Sequence, residues 1–152
     1  MIQNNKISKD YISQQLKEVG LRLTPQRLLI YQTLLQSKRH PTAQALYDEI
    51  KGQLPSLSQA TVYNTLQALG KAGLIQEIGE AGDGTIHYDA NLTPHVNLIC
   101  IRCHRVDDFF DVPLNAVAQQ VAGQSGYQIQ GARVAYYGLC PECQTAVSAQ
   151  NP

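Results

Sequence analysis

The sequence predicts an α+β protein in which an N-terminal winged helix-turn-helix domain is followed by a small α/β domain with a four-cysteine zinc site. Three observations support this fold class. Four segments with apolar residues at helical spacing occupy the first 73 residues of the 152-residue chain. Two short strand-like segments joined by a glycine-rich turn follow them, which is the element order of a winged helix. Two Cys-x-x-Cys motifs then lie in the second half of the chain.

The first domain contains four predicted helices, and each begins after a residue that can cap it. A capping side chain accepts a hydrogen bond from a backbone N–H of the first helical turn. The four capping residues are Ser8, Thr24, Thr42 and Ser58. Pro25 suits the first position of the second helix, where no N–H is needed. Helical spacing predicts these inward-facing residues: Ala45, Leu46 and Ile50 in the third helix, and Val62, Leu66 and Leu69 in the fourth.

The wing and the domain boundary are predicted from composition and turn residues. Residues 74–78 and 85–89 have strand-like composition, and the segment between them is polar and rich in glycine. A short polar stretch then interrupts the pattern. We therefore predict a winged-helix domain over residues 1–90, a hinge over 91–94 and a second domain over 95–152.

The second domain is predicted to combine strands with one helix. Residues 95–101 and 106–110 form short strands on either side of a turn that contains two cysteines. Pro113 begins a helix. The apolar face of this helix contains Leu114, Val117 and Val121. Residues 127–139 form a longer strand.

Charge is distributed unevenly along a chain whose net charge is zero. Residues 1–75 carry nine basic and four acidic side chains, and residues 76–152 carry three basic and eight acidic ones. This pattern is typical of a polyanion-binding module fused to a module with cation ligands, although chance segregation on two solvated surfaces would also produce it. No stretch approaches the roughly 18 apolar residues of a membrane-spanning helix. The N-terminus also lacks the apolar core of a signal peptide, so we expect a cytoplasmic protein without membrane partners.

All cysteines of the chain belong to the two Cys-x-x-Cys motifs: Cys100, Cys103, Cys140 and Cys143. The two-residue spacing lets one turn present both thiolates to one ion, and two such turns complete a tetrahedral zinc site. A closed four-thiolate site has no open coordination position, so we expect a structural role. The alternatives are disulfides, which a reducing cytosol disfavours, a redox dithiol and a four-thiolate iron site.

A second candidate metal site contains no cysteine. Its proposed donors are His40, Asp89, His95, Asn97 and Asp108. Imidazole nitrogen and carboxylate oxygen suit Fe(II), Mn(II) or Zn(II). His95 and Asn97 are two residues apart on a predicted strand, so both side chains point to one face. His40 belongs to the first domain, so this site would lie across the domain boundary. The alternative is that each is an ordinary polar surface residue.

The fourth helix is the candidate DNA-reading element. Its outer face carries hydroxyl, aromatic and amide groups that suit base edges and thymine methyls: Thr61, Tyr63, Asn64 and Gln67. Basic side chains of the same domain are suited to phosphates: Arg22, Arg27, Lys51 and Lys71. An exposed polar face of any helical domain would show a similar pattern.

Together these motifs resemble the ferric uptake regulator family of metal-responsive repressors, over nearly the whole chain from about Tyr11 to Cys143. The most specific segments are residues 22–27, 40–43 and 60–66 and the paired cysteines. The resemblance implies a homodimer with a C-terminal α/β dimerisation domain and a structural Zn(2+). It also implies binding of a palindromic double-stranded DNA operator when a regulatory metal is loaded, with contacts from the positions of Tyr63 and Arg22.

The resemblance further implies that the His/Asp set is the regulatory site for Fe(2+) or Mn(2+). Aspartates at the positions of Asp89 and Asp108 look like the peroxide-responsive branch of the family. In that branch bound Fe(II) reacts with hydrogen peroxide, a ligand histidine gains an oxygen atom, and the protein loses metal and releases DNA. The oxidised histidines of the branch match His40 and His95.

Asn97 departs from that branch, which usually has histidine at this position. An amide oxygen is a harder, neutral ligand, so Asn97 would bind metal weakly, leave the position to water, or change the preference between iron and manganese. One alternative is therefore a sensor of iron, manganese or zinc availability without peroxide chemistry. Two further alternatives are a metalloenzyme that uses the His/Asp site and a thiol oxidoreductase. The sequence contains no phosphate loop and no His-Glu-x-x-His helix, and we expect no enzyme.

Overall fold

The computed structural model describes residues 7–80 and 82–149. The chain forms two compact units, and the first comprises Met1–Glu77 with Ile86–Leu92. Within the described residues, no helix is both long and apolar enough to cross a membrane. The hinge over residues 91–94 stays a prediction.

The first unit contains the four predicted helices, and a strand pair follows them in the chain. The helices are α1 (Lys9–Glu18), α2 (Pro25–Gln36), α3 (Ala43–Ile50) and α4 (Gln59–Lys71). The predicted caps are confirmed, because each capping oxygen accepts the N–H three residues later at 3.1 to 3.2 Å. A cap of this kind contributes about 1 kcal/mol, so local chemistry alone defines where each helix begins.

The core of the first unit forms where the inward faces of these helices meet. Its fully buried side chains are Ile12, Leu16, Ile30, Leu46, Ile50, Val62, Leu66 and Leu69. The prediction that Ala45 faces inward is wrong. Ala43 is buried instead and Ala45 is exposed, because the inward stripe of α3 follows positions 43, 46 and 50.

The strand pair consists of β1 (Gln76–Glu80) and β2 (Ile86–Asp89), which form a two-stranded sheet. β1 begins two residues later than predicted. Gly73 has a φ of 75° and ends α4 in the left-handed conformation, so the N–H of Leu74 bonds to the carbonyl oxygen of Leu69 at 3.0 Å. Leu74 and its neighbour are therefore buried beneath the helices before the strand starts.

The second unit comprises Ile78–Thr85 and Thr93–Pro152. Its elements are β3 (Val96–Cys100), β4 (Val106–Phe109), α5 (Leu114–Ser125), β5 (Val134–Gly138) and α6 (Pro141–Ser148). The sheet has the order β4-β3-β5, with β4 antiparallel and β5 parallel to the central strand.

The predicted strand over residues 127–139 is wrong in its length, because only Val134–Gly138 is a strand. β5 pairs with β3 from Val96 onward, and Val96 lies opposite Val134. β3 itself is only five residues long, so the residues before Val134 have no strand of β3 to pair with. A strand requires such a partner for its backbone hydrogen bonds.

Two helices of the second unit were incompletely predicted. Across residues 114–125, all of which the structure describes, no side chain of α5 is buried, although the predicted apolar face is present. α6 was not predicted. The residues that mark the start of α6 are nevertheless adjacent in the sequence. Cys140 is the N-cap, Pro141 occupies the first helical position and Glu142 lies in the first turn.

Candidate functional site

The four cysteines meet at one end of the second unit. Cys100 ends the central strand β3, and Cys103 follows in the turn before β4. Cys140 lies two residues after the end of β5 and caps α6, whose first turn contains Cys143. Because β3 and β5 are parallel neighbours, their carboxyl ends lie side by side and bring the two Cys-x-x-Cys turns together.

The geometry of the sulfur atoms fits a tetrahedral zinc site. All four Sγ atoms lie within 4.8 Å of one another. The Sγ atoms of Cys103 and Cys140 are 3.8 Å apart. A tetrahedron with Zn–S bonds of about 2.3 Å has edges of about 3.8 Å between sulfurs. The cluster therefore has the dimensions of a closed four-thiolate site.

Hydrogen bonds to the sulfur atoms favour ionisation of one thiol. Backbone N–H groups of Cys103 and Cys140 lower the pKa of Cys100 to about 5, and the nitrogen of Cys140 lies 3.4 Å from its Sγ. Burial and the neighbouring sulfurs raise the pKa of Cys143 to about 12. One thiolate thus opposes ionisation of the next, so four thiolates coexist only when a cation offsets their charge.

Arg105 forms two surface ion pairs close to the cysteine turns. Arg105 donates through Nε and Nη2 to Asp107 at 2.8 and 3.1 Å, and its Nη1 lies 3.2 Å from Glu142. Because these groups are exposed, each pair contributes little to stability. The position of the sulfurs is therefore set mainly by the two turns and the sheet.

His95 and Asp108 form the part of the second candidate site that belongs to the second unit. Nδ1 of His95 lies 2.6 Å from the carbonyl oxygen of Thr93, and Nε2 lies 3.2 Å from Oδ1 of Asp108. A carbonyl can only accept, so Nδ1 carries a proton and donates. In the neutral ring a lone pair of Nε2 then faces a carboxylate oxygen. A shared proton or a cation between these atoms would stabilise that arrangement.

Asn97 is buried on β3, two residues after His95, which lies just before that strand. It is opposite Asp108 in the register of β3 and β4. Its Oδ1 atom has no hydrogen-bond partner within residues 7–80 and 82–149. A buried amide oxygen without a partner costs about 1–3 kcal/mol. This oxygen, like the facing atoms of His95 and Asp108, fits a cation donor set.

His40 and Asp89 form the corresponding pair in the first unit. His40 lies between α2 and α3, and Asp89 ends β2. Nδ1 of His40 is 3.7 Å from Oδ1 of Asp89, and both side chains are about 95% buried. Oδ1 also accepts the N–H of Asn91 at 2.8 Å. A buried imidazole beside a buried carboxylate again suits a cation.

The outer face of α4 displays most of the predicted DNA-reading residues. Tyr63, Asn64 and Gln67 are exposed, and the Tyr63 side chain is 53% accessible. Thr61 is half-buried, and its Oγ1 lies 2.8 Å from the hydroxyl of Ser58. Arg22 is exposed ahead of α2, and its carbonyl oxygen accepts a hydrogen bond from Nη1 of Arg27 at 2.6 Å.

Sequence reasoning missed the contacts that hold the two histidines. Nδ1 of His87 lies 2.7 Å from the carbonyl oxygen of His40, and the ring of Phe110 lies 5.1 Å from the ring of His95. His87 is 47 residues away from His40 along the chain, so no spacing rule links them. The only available signal is that His87 and Asp89 alternate on one strand and therefore share a face.

Comparison with known proteins gives one consistent result. A model of the ferric uptake regulator family matches residues 18–137. The peroxide operon regulator of Bacillus subtilis (strain 168) is 38% identical over 128 residues, which are 84% of this chain and 88% of that protein. The peroxide-responsive repressor PerR of Staphylococcus aureus (strain Mu50) is 33% identical over 129 residues, or 85% of this chain and 86% of that protein.

Among solved structures, the Campylobacter jejuni peroxide stress regulator is similar with a TM-score of 0.72 and 28% identity, covering 88% of this chain and 97% of that one. The family match extends over most of the chain. It includes the outer face of α4, the first cysteine pair and all residues of the second candidate metal site, which are His40, Asp89, His95, Asn97 and Asp108. This chain belongs to the ferric uptake regulator family.

Proposed function

We propose that this protein is a metal-dependent, DNA-binding transcriptional repressor that responds to hydrogen peroxide. The observation that carries the proposal is the pair of His–Asp contacts, His40 with Asp89 and His95 with Asp108, each in a largely buried position. The relatives that are named for peroxide regulation support the same function.

The regulatory metal is proposed to be Fe(2+) or Mn(2+). The donor set would be His40, Asp89, His95, Asn97 and Asp108. Two imidazoles with three oxygen donors form a mixed set that suits these ions better than soft metals such as Cu(I). Supporting evidence is the buried Asn97 oxygen, since ligation would remove the cost of burying it without a partner.

Within this site the two histidines, His40 and His95, would have two roles. They donate to the metal, and they are the groups that an oxidant generated beside them would reach first. Bound Fe(II) would activate hydrogen peroxide, so that one peroxide oxygen would be added to a carbon of a ligand imidazole and the other would leave as water, with the imidazole supplying the two electrons. Addition of one oxygen atom to a ligand imidazole would weaken it as a donor, and weaker metal binding would then favour the form that does not bind DNA.

Zn(2+) is the proposed occupant of the four-cysteine cluster, where it would stabilise the fold. Apolar side chains exposed on α5 and β5 support a homodimer. Val117, Val121, Tyr136 and Tyr137 are each between 47% and 63% accessible in the single chain. Apolar surface exposed on this scale marks an interface more often than a free face, so a second copy of this chain is the proposed partner.

The DNA partner is proposed to be a palindromic duplex read by α4. The exposed residues Tyr63, Asn64 and Gln67 would reach base edges, and Thr61 and Arg22 would contribute contacts beside them. A two-fold symmetric dimer would place two such helices on two half-sites. The excess of basic side chains in residues 1–75 supports binding to a polyanion.

A gel shift with a palindromic family operator tests this function. We expect a salt-sensitive complex that forms with Mn(II) or Fe(II), and that dissociates after dilute peroxide only in the Fe(II) sample. Tyr63→Ala is expected to weaken the complex about 5- to 150-fold without changing metal binding. Absence of any metal-dependent complex would refute the repressor function.

Mass spectrometry distinguishes peroxide sensing from sensing of metal availability. After Fe(II) and peroxide we expect one added oxygen on peptides that contain His40 or His95. Asn97 favours the alternative, since replacing an imidazole by an amide changes the electronic environment of the metal. Unmodified histidines with peroxide-independent DNA binding would establish the availability sensor instead.

A further inference from the structure

The segment that carries His40 has an unusual backbone conformation. His40 has a φ of 45°, in the left-handed region that side chains with a β-carbon rarely adopt. The residue as a whole is also 97% buried. The next residue is Pro41, which has no N–H to donate. A conformation of this kind persists only where surrounding contacts hold it.

Strand β2 provides those contacts at three consecutive positions of the segment. Nδ1 of His87 lies 2.7 Å from the carbonyl oxygen of His40. The N–H of Tyr88 donates to the carbonyl oxygen of Pro41 at 3.1 Å. Thr42 and His87 then form an antiparallel β-bridge. Of these three contacts, the one from His87 to His40 is made by a side chain.

His87 and Asp89 lie two residues apart on β2, so they share one face of the strand. Both are buried. His87 contacts the backbone of His40, while Asp89 faces its imidazole ring with 3.7 Å between Oδ1 and Nδ1. One strand face therefore contacts His40 at two points, its carbonyl group and its ring.

We infer that His87 is a positioning residue for the regulatory metal site. Its Nδ1–H holds the His40 carbonyl, keeps the backbone in the left-handed conformation and so presents the His40 ring beside Asp89 before metal arrives. This role rests on the proposed function of His40 as a ligand. His87 acts through His40 and need not touch the metal.

The test uses two substitutions of nearly equal shape in the full-length, zinc-retaining protein. His87→Asn places an amide N–H close to the position of Nδ1 and keeps the donor. His87→Leu introduces a side chain that is branched at the same carbon as asparagine but has no hydrogen-bond donor. Any effect of lost volume appears in both variants, whereas the effect of the hydrogen bond appears only in His87→Leu.

The first readout needs no regulatory metal. Amide hydrogen exchange followed by NMR reports the protection factor of the Tyr88 N–H, which is bonded to Pro41. We expect the protection factor to fall at least about tenfold in His87→Leu and to stay within about threefold of wild type in His87→Asn. Equal protection in all three proteins would overturn the positioning role.

The second readout is Mn(II) affinity, measured by electron paramagnetic resonance of free Mn(II). Loss of a group that orients a metal ligand typically weakens binding about 10- to 100-fold, and we expect this loss in His87→Leu with recovery in His87→Asn. Wild-type affinity in a folded His87→Leu protein would overturn the inference. If His87→Leu does not fold, His87→Asn decides: near wild-type affinity supports the hydrogen bond, and a tenfold loss refutes it.

The two experiments also distinguish an error in the proposed function from an error in the role of His87. Wild-type protein that retains zinc and binds no Mn(II) would contradict the regulatory site itself, while the exchange experiment would still decide whether His87 holds the backbone of His40. Wild-type binding of Mn(II) together with unchanged binding by His87→Leu would instead refute only the role of His87.

Discussion

Asp108 places its Oδ1 atom 3.2 Å from Nε2 of His95, and Nδ1 of the same ring lies 2.6 Å from the carbonyl oxygen of Thr93. The imidazole of His95 therefore lies between a carbonyl oxygen and a carboxylate oxygen inside the second unit. Asp108 lies on β4 and its side chain is 21% accessible, while the His95 side chain is almost fully buried. This relationship is the basis of the first prediction.

Asp108→Asn is expected to weaken Mn(II) binding by about tenfold or more, because an amide has no charge to offset that of the ion. Asp107→Asn is the matched control. Asp107 is the adjacent residue of β4 and pairs with Arg105 at the surface, so the same change of charge there should leave the affinity nearly unaltered. Isothermal titration calorimetry measures both variants. Equal losses would show that Asp108 acts only through net charge.

Asn97→Leu is expected to change metal-free stability and metal affinity in opposite directions. Leucine has the shape of asparagine and removes the buried oxygen that has no hydrogen-bond partner among the described residues. We expect metal-free unfolding to become less favourable by about 1–3 kcal/mol, measured by urea denaturation, and Mn(II) affinity to fall. A variant that gains stability and keeps full affinity would show that Asn97 is not a ligand.

Cys100→Ser is expected to release zinc and to destabilise the second unit. The Cys100 sulfur accepts an N–H from Cys140, so its loss affects both Cys-x-x-Cys turns. Metal binding and folding are coupled in structural zinc sites, because the site does not exist in the unfolded chain. Elemental analysis, far-UV circular dichroism and sedimentation measure zinc, fold and association. A folded variant that keeps zinc and the wild-type association state would contradict the structural role.

The buried phenol of Tyr31 in the first unit is expected to make the stability of the protein depend on alkaline pH. Burial, with a smaller effect of Tyr11, raises the pKa of Tyr31 from 10.0 to about 12. The folded state therefore favours the neutral phenol, and this contribution to stability is complete below pH 10 and disappears as the pH rises from 10 toward 12. We expect the thermal midpoint of wild type to fall more steeply across this window than that of Tyr31→Phe.

Tyr63→Phe is the control for the pH experiment, because Tyr63 is half-exposed on α4 in the same unit. Its removal should leave the alkaline slope of the thermal midpoint as in wild type. The measurement uses DNA-free protein, so any role of Tyr63 in binding does not enter. Parallel slopes for wild type and Tyr31→Phe would show that ionisation of Tyr31 does not limit alkaline stability.

Much of the fold was predictable because its signals are local. Ser8, Thr24, Thr42 and Ser58 mark helix starts through hydrogen bonds that span only three residues, and Gly73 marks a helix end through its left-handed conformation. The same holds for the two Cys-x-x-Cys turns. By contrast, the length of β5 depends on where β3 ends, and no feature of residues 127–133 indicates that they lack a strand partner.

The sequence by itself determined which donor atoms this protein has: four thiols in two tight turns, and histidines, aspartates and an asparagine of metal-binding type. Only the tertiary structure decided how these groups are oriented. It placed Nδ1 of His95 against the carbonyl oxygen of Thr93, left the Asn97 oxygen buried, and placed His87 against the His40 backbone. The reason is physical: residue type and spacing set local conformation, whereas tautomers, burial and contacts across 47 residues depend on strand pairing and packing.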